Sequence, residues 1–289
     1  MTEPTIHTLE APGAVLTYDV RANEASAERP LVLIGSPMGA GGFRTLAGHF
    51  EDRMVVTYDP RGIERSRRTD GVIESNPSER AEDVHRLIEA LGIAPVDLLG
   101  SSGGAVDGLA LVARHPGDVR TLVAHEPPAA ALLPDSSAAL AANRAIHDAY
   151  LQKGMGAAMA MFIALISHKG PVPDDWASGP RPDPAMFGLP TEDDGSRDDP
   201  LLGQSIMGTT TFQPDFDALR AAGTRIVLAA GEESEGELAN RGAHAVAERL
   251  GTEPVLFPGG HGGFQGDEYG MPGKPDGFAA KLREVLSAR

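Results

Sequence analysis

The chain has 289 residues, 41% of them hydrophobic, and a formal net charge of −16. Such a charge repels phosphate backbones and excludes nucleic acid as an expected partner, while the absence of cysteine excludes disulfides and thiolate metal sites. No unbroken apolar run reaches the roughly 20 residues of a membrane span. Met1–Glu10 also lacks the basic and apolar segments of a secretory leader. The expectation is a cytoplasmic protein with no membrane contact, acting on a small molecule, for which a homodimer is an allowed assembly.

Thr5–Glu10 and Val15–Val20 read as a hairpin turning through Ala11-Pro12-Gly13. Leu31–Ile34 is a buried third strand before a Gly-rich loop, and a short helix follows near Phe43–His49. Met54–Tyr58 is the fourth strand, stopped by Asp59-Pro60-Arg61-Gly62. Asn76-Pro77-Ser78 caps a helix whose apolar stripe, Leu87, Ile88 and Leu91, ends at Gly92. Val96–Leu99, a helix over Ala105–Arg114, and the strand Thr121–Ala124 continue the alternation.

From Pro127 to about Pro214 no strand is predicted. Helices are expected at Ser137–Lys153, Met155–His168 and Leu201–Thr211, with a long Pro-, Gly- and Asp-rich loop over Gly170–Pro200. The alternation returns with helix Phe216–Ala222, strand Ile226–Ala230, helix Glu237–Leu250, strand Val255–Phe257 and helix Gly277–Ala288. The fold class is therefore α/β, a mostly parallel sheet covered on both faces. Residues 1–127 and 214–289 form the core, and 128–213 form a helical insertion.

Gly100-Ser101-Ser102-Gly103-Gly104 fits G-x-S-x-G between a strand and a helix, the setting of a nucleophile elbow. Such a turn exposes the serine Oγ and aims the next backbone N–H at the reaction centre. A dinucleotide-binding reading of Leu31–Asp59 fails because Arg44 stands where the third glycine of G-x-G-x-x-G is required.

With Ile34-Gly35-Ser36-Pro37, Tyr58-Asp59-Pro60-Arg61-Gly62, the elbow, and Pro258-Gly259-Gly260-His261, the whole chain resembles the α/β-hydrolase family of serine-esterase type. The resemblance implies an eight-stranded, mostly parallel sheet, a helical cap (lid) inserted after strand six, and neither cofactor nor metal. It makes Ser102 the nucleophile and His261, on the loop after the last strand, the general base. The oxyanion hole takes one N–H from Gly103 and the other from the loop after strand three. Family members often carry His-Gly-x-Pro there, which puts Ser36 at x, with Met38 as an alternative donor.

The family's usual acid follows strand seven, where this chain has Gly231-Glu232-Glu233-Ser234, so a serine falls at the aspartate position. Certain haloalkane dehalogenases place the acid after strand six, which here ends His125-Glu126-Pro127-Pro128. Glu126 is the favoured acid, with Glu232 and then Glu233 as alternatives. Met155, Met159, Phe162 and Phe187 suggest a pliable apolar ceiling. These features point to a serine hydrolase acting on an ester, lactone or thioester of moderate size through an acyl-enzyme. Carbon–carbon bond hydrolysis, or a weakly catalytic or non-catalytic ligand-binding protein, stand as alternatives.

Overall fold

The hairpin forms from β1 (Thr5–Ala11) and β2 (Ala14–Arg21), with Gly13 in the left-handed region at the turn. In this computed structural model, which describes residues 3–23, 25–270 and 273–288, the later strands are β3 (Leu31–Ser36), β4 (Val55–Asp59), the two-residue β5 (Arg67–Arg68), β6 (Val96–Ser102), β7 (Val119–His125), β8 (Arg225–Gly231) and β9 (Val255–Phe257). The sheet order is β1-β2-β4-β3-β6-β7-β8-β9, with β5 paired to β2 at the edge. Every pairing from β4 through β9 is parallel, and those made by β2 are antiparallel. Because β5 is additional, the predicted sixth and seventh strands are β7 and β8.

Alternate residues of the central strands feed two cores. Val32 and Ile34 join Val84, Ile88, Leu98, Leu109 and Leu122 on one face. Leu31 and Leu33 join Phe43, Phe50, Leu99, Phe257 and Phe278 on the other. A strand buried on both sides must be apolar at successive positions, which is why these runs are continuous rather than alternating.

The covering helices are α1 (Arg44–Gly48), α2 (Pro77–Leu91), α3 (Gly103–Arg114), α4 (Ser136–Ile166), α5 (Ile206–Thr210), α6 (Phe216–Ala221), α7 (Leu238–Leu250) and α8 (Pro275–Ser287). Asn76 caps α2 by accepting the Glu79 N–H at 3.0 Å, with Pro77 at its first position, and Gly92 closes it in the left-handed conformation.

Among the described residues there is no strand between β7 and β8. The two helices expected there are the halves of α4, which breaks at Gly154 (φ 81°, ψ −175°). By length and composition alone α4 could cross a membrane, but it is interrupted by that break and packs Ile146, Tyr150, Met161 and Leu165 into a third apolar cluster. The expected helix Leu201–Thr211 is instead a π-helical turn, Pro200–Ser205, running into α5; Asp199 accepts the N–H groups of Leu201 and Leu202. The loop before it carries only short 3-10 turns at Trp176–Ser178 and Pro184–Phe187.

Register brings the chemistry to one end of the sheet. Ser36 stands beside Ser102 across β3 and β6, and Ser101 beside His125 across β6 and β7. Gly231 and Phe257 close the row across β8 and β9. These are the carboxyl ends of parallel strands, where open α/β sheets bind ligands.

Candidate active site

Ser102 sits at the junction of β6 and α3 with φ 56° and ψ −124°, outside the ordinary regions for an L-residue. Such a conformation costs on the order of 1–3 kcal/mol and persists only where neighbours enforce it. The flanking glycines make room for it: a Cβ on Gly100 would strike the Gly104 carbonyl, and one on Gly104 would strike that of Ile34. A Cβ on Gly103 would strike the Ser36 carbonyl. The glycine spacing is therefore a steric requirement of the close approach between strand and helix. Ser102 and the Gly103 backbone stand at the amino end of α3, where the helix dipole favours negative charge.

His261 lies on the loop after β9, and its Nδ1 is 2.7 Å from Glu126 Oε2. Glu126 is wholly buried and also has a left-handed φ, 48°, at the turn leaving β7. Its Oε1 accepts the Gly231 N–H at 2.8 Å, the Asn240 amide at 3.2 Å and the Ser234 hydroxyl. Burial by itself would push this carboxyl up, but the bond to His261, the adjacent imidazoles and Ser234 hold it down at about 2. The group is thus ionised, fixed at every lone pair that the protein can reach, and aimed at one imidazole nitrogen.

The alternative acids are elsewhere. Glu232 is exposed and contributes its backbone N–H to Phe257, and Glu233 pairs with Lys274 at 2.6 Å. Ser234 is not a replacement acid; it turns inward and supports Glu126.

Ser36, Pro37, Met38, Ser102, Gly103 and His261 line a cavity of about 350 Å³. Of the four predicted ceiling residues, Phe162 lines it. Met155 and Met159 instead pack sideways into the apolar cluster around α4, and Phe187 sits on an exposed turn, 38% accessible. Met155, Met159 and Phe162 share one stripe of the helix beyond Gly154, but only its carboxyl-terminal part, Phe162 with Leu165 and Ile166, reaches the cavity. The walls come from residues not singled out by sequence: Leu165 and Ile166 of α4, Leu201, Ile206, Leu238 and Phe264.

Polar residues of the wall were also missed. Asn143 is buried among Ala139, Ala142 and Ile146 on the inner face of α4; an asparagine in that apolar stripe was the available signal. Its Nδ2 donates to the Ala139 carbonyl at 2.8 Å. Glu237 stands just before α7, half-buried, without capping that helix. Burial and repulsion from Glu126 push its carboxyl up. Beneath the site, His125 is fully buried, with Nδ1 3.1 Å from Ser101 Oγ and its ring stacked at 6.1 Å on that of His261. Burial lowers it to about 4, so it is neutral near pH 7.

Comparison with known proteins agrees with this architecture. The model of the alpha/beta hydrolase fold family matches residues 30–178. The chain is 31% identical over 273 residues to the uncharacterized hydrolase YraK of Bacillus subtilis (strain 168), covering 89% of each chain. Among solved structures it is similar to MGS-M2, an alpha/beta hydrolase from a Medee basin deep-sea metagenome library (TM-score 0.68, 17% identity, 99% and 98% of the two chains). A thermophilic esterase of Thermogutta terrifontis is also similar (TM-score 0.65, 18% identity, 99% and 98%). The predicted sheet and its covering helices are thus those of the molecule, and the chain belongs to the α/β-hydrolase fold family, as a hydrolase.

Proposed function

We propose that the protein is a serine hydrolase that cleaves an ester, lactone or thioester of moderate size through a covalent acyl-enzyme. The observation that carries this reading is that His261, which lines the same cavity as Ser102, is paired with buried, ionised Glu126. Ser102 Oγ attacks the carbonyl carbon as His261 Nε2 accepts its proton. Glu126 fixes the tautomer and stabilises the imidazolium. The oxyanion is met by the N–H groups of Gly103 and Ser36; Ser36 is preferred to Met38 because it stands in register beside Ser102. Collapse expels the alcohol or thiol, protonated by His261, and a water activated by the same imidazole releases the acid. In this reading residues 128–213 act as a cap over the core, with Phe162, Leu165 and Leu201 as an apolar roof that favours an apolar acyl chain.

A fluorophosphonate probe tests it. Labelling of the wild type that disappears in Ser102→Ala is the expected result. An unlabelled wild type would favour a ligand-binding role over catalysis.

A further inference from the structure

The cavity wall carries a carboxylate and, among the described residues, no permanent cation. Among the described residues no lysine or arginine lines it, and its ionisable side chains are His261 and Glu237. Several of the side-chain donors in its wall are spent inside the protein. Ser205 Oγ donates to the Pro200 carbonyl at 2.8 Å, Thr210 Oγ1 to that of Ile206 at 2.7 Å, and Asn143 Nδ2 to that of Ala139. Gln265 Nε2 reaches Met38 Sδ at 3.4 Å, whereas Thr209 Oγ1 accepts from Arg80 at 3.0 Å and keeps its own hydroxyl hydrogen. Its side-chain acceptors include Asn143 Oδ1, on a residue 2% exposed, and the Glu237 carboxylate, the wall's one carboxylate among the described residues.

The Glu237 backbone bonds to Ser234 and Arg241, but its carboxylate makes no hydrogen bond or ion pair among the described residues and does not cap α7, although it stands at the capping position. The cations within electrostatic reach are Lys169, on the exposed loop after α4, and His261 when protonated. A carboxylate in a largely apolar cavity with no paired cation is costly unless a ligand supplies the charge. Resting on the serine-hydrolase reading, we infer that Glu237 selects substrates whose acyl portion carries a cationic nitrogen, with Asn143 Oδ1 as a second acceptor, and that anionic acyl groups are rejected. The net charge of −16 would draw cations toward the same surface.

The test compares two isosteric esters, p-nitrophenyl 4-(trimethylammonio)butanoate and p-nitrophenyl 5,5-dimethylhexanoate, which differ by a nitrogen cation in place of a quaternary carbon. The wild type should show a kcat/KM at least about tenfold higher for the cationic ester, and Glu237→Gln should bring the ratio within about twofold of unity. Lys169→Ala should leave the ratio above tenfold. Equal turnover of the two esters by the wild type overturns the inference while leaving the hydrolase reading intact. A preference that persists in Glu237→Gln removes Glu237 as its source. A preference that appears only in Lys169→Ala assigns the carboxylate to Lys169 rather than to substrate, and also overturns it. Hydrolysis of neither ester, with no fluorophosphonate labelling of Ser102, removes the underlying reading as well.

Discussion

Ser234 donates its hydroxyl to Glu126 from the position after β8 at which an aspartate would ordinarily face the imidazole. The carboxylate that meets His261 comes from the turn after β7, one strand across the sheet, and the serine after β8 is one of its supports. Glu126→Gln should therefore lower kcat on the order of 10⁴-fold, the cost of losing the orienting carboxylate in a Ser-His-Asp triad, with a far-ultraviolet circular dichroism spectrum like that of the wild type. Glu232→Gln should change kcat less than about twofold. A fall of less than about tenfold in Glu126→Gln would remove Glu126 from the triad.

The same pair predicts a response to a second acid. Ser234→Asp places two carboxylates against each other in a buried site, where both cannot ionise. Its melting temperature should fall relative to the wild type at pH 8 and recover toward pH 5 as one carboxyl takes up a proton. A thermal scan across that range checks the direction.

His125 should make the protein acid-sensitive. Its imidazole stays neutral in the fold until about pH 4, because burial opposes the charge, whereas the unfolded chain protonates near 6.5. The unfolded state therefore binds more protons between these values. Stability is fully present above that window and is lost as pH falls through it, by on the order of 3 kcal/mol. His125→Phe, set among Phe257, Phe264 and Phe278, should flatten this part of the profile in urea titrations at pH 7.5 and 5. Taking the difference between the two proteins cancels contributions common to both, such as that of Asp107, which burial pushes up to about 6.

Arg80 ties α3, the helix that follows Ser102, to the cavity wall. It is 1% exposed, donates to Asp107 of α3 at 2.8 Å and to Ser75 at 2.8 Å, and reaches Thr209 of α5 at 3.0 Å. Arg80→Met leaves Asp107 buried without its cation and should cost about 3–5 kcal/mol, read as a lower urea midpoint. The double variant Arg80→Met/Asp107→Leu should regain most of that loss, since neither charge is then stranded. KM should remain raised in both variants, because Thr209 loses its donor.

Phe162 is the predicted roof residue that does line the cavity. Phe162→Ala should shift the acyl-length optimum to longer p-nitrophenyl esters and lower kcat/KM for short ones at least about tenfold. Met159→Ala, which acts through packing of α4, should lower stability without moving that optimum.

Features set by a few neighbouring residues were legible in the amino-acid sequence. The elbow around Ser102 follows from glycines that leave no room for a Cβ, α2 from Asn76, Pro77 and Gly92, and the sheet from apolar runs of strand length. Placing Glu126 just after a strand was enough to nominate it as the acid. Which of Glu126 and Glu232 meets His261 was legible only in the tertiary structure, because the contact joins residues 135 positions apart in the chain and relies on Ser234 and Asn240 converging from beyond β8. Tertiary structure also decided the cavity wall. Met155 and Met159 lie two turns and one turn before Phe162 along α4 and pack into the cluster around that helix, while Asn143 and Leu165 line the site. Glu237, a charged residue preceding a helix and ordinary in the sequence, becomes a carboxylate in a cavity wall only once α7 is docked beside β8.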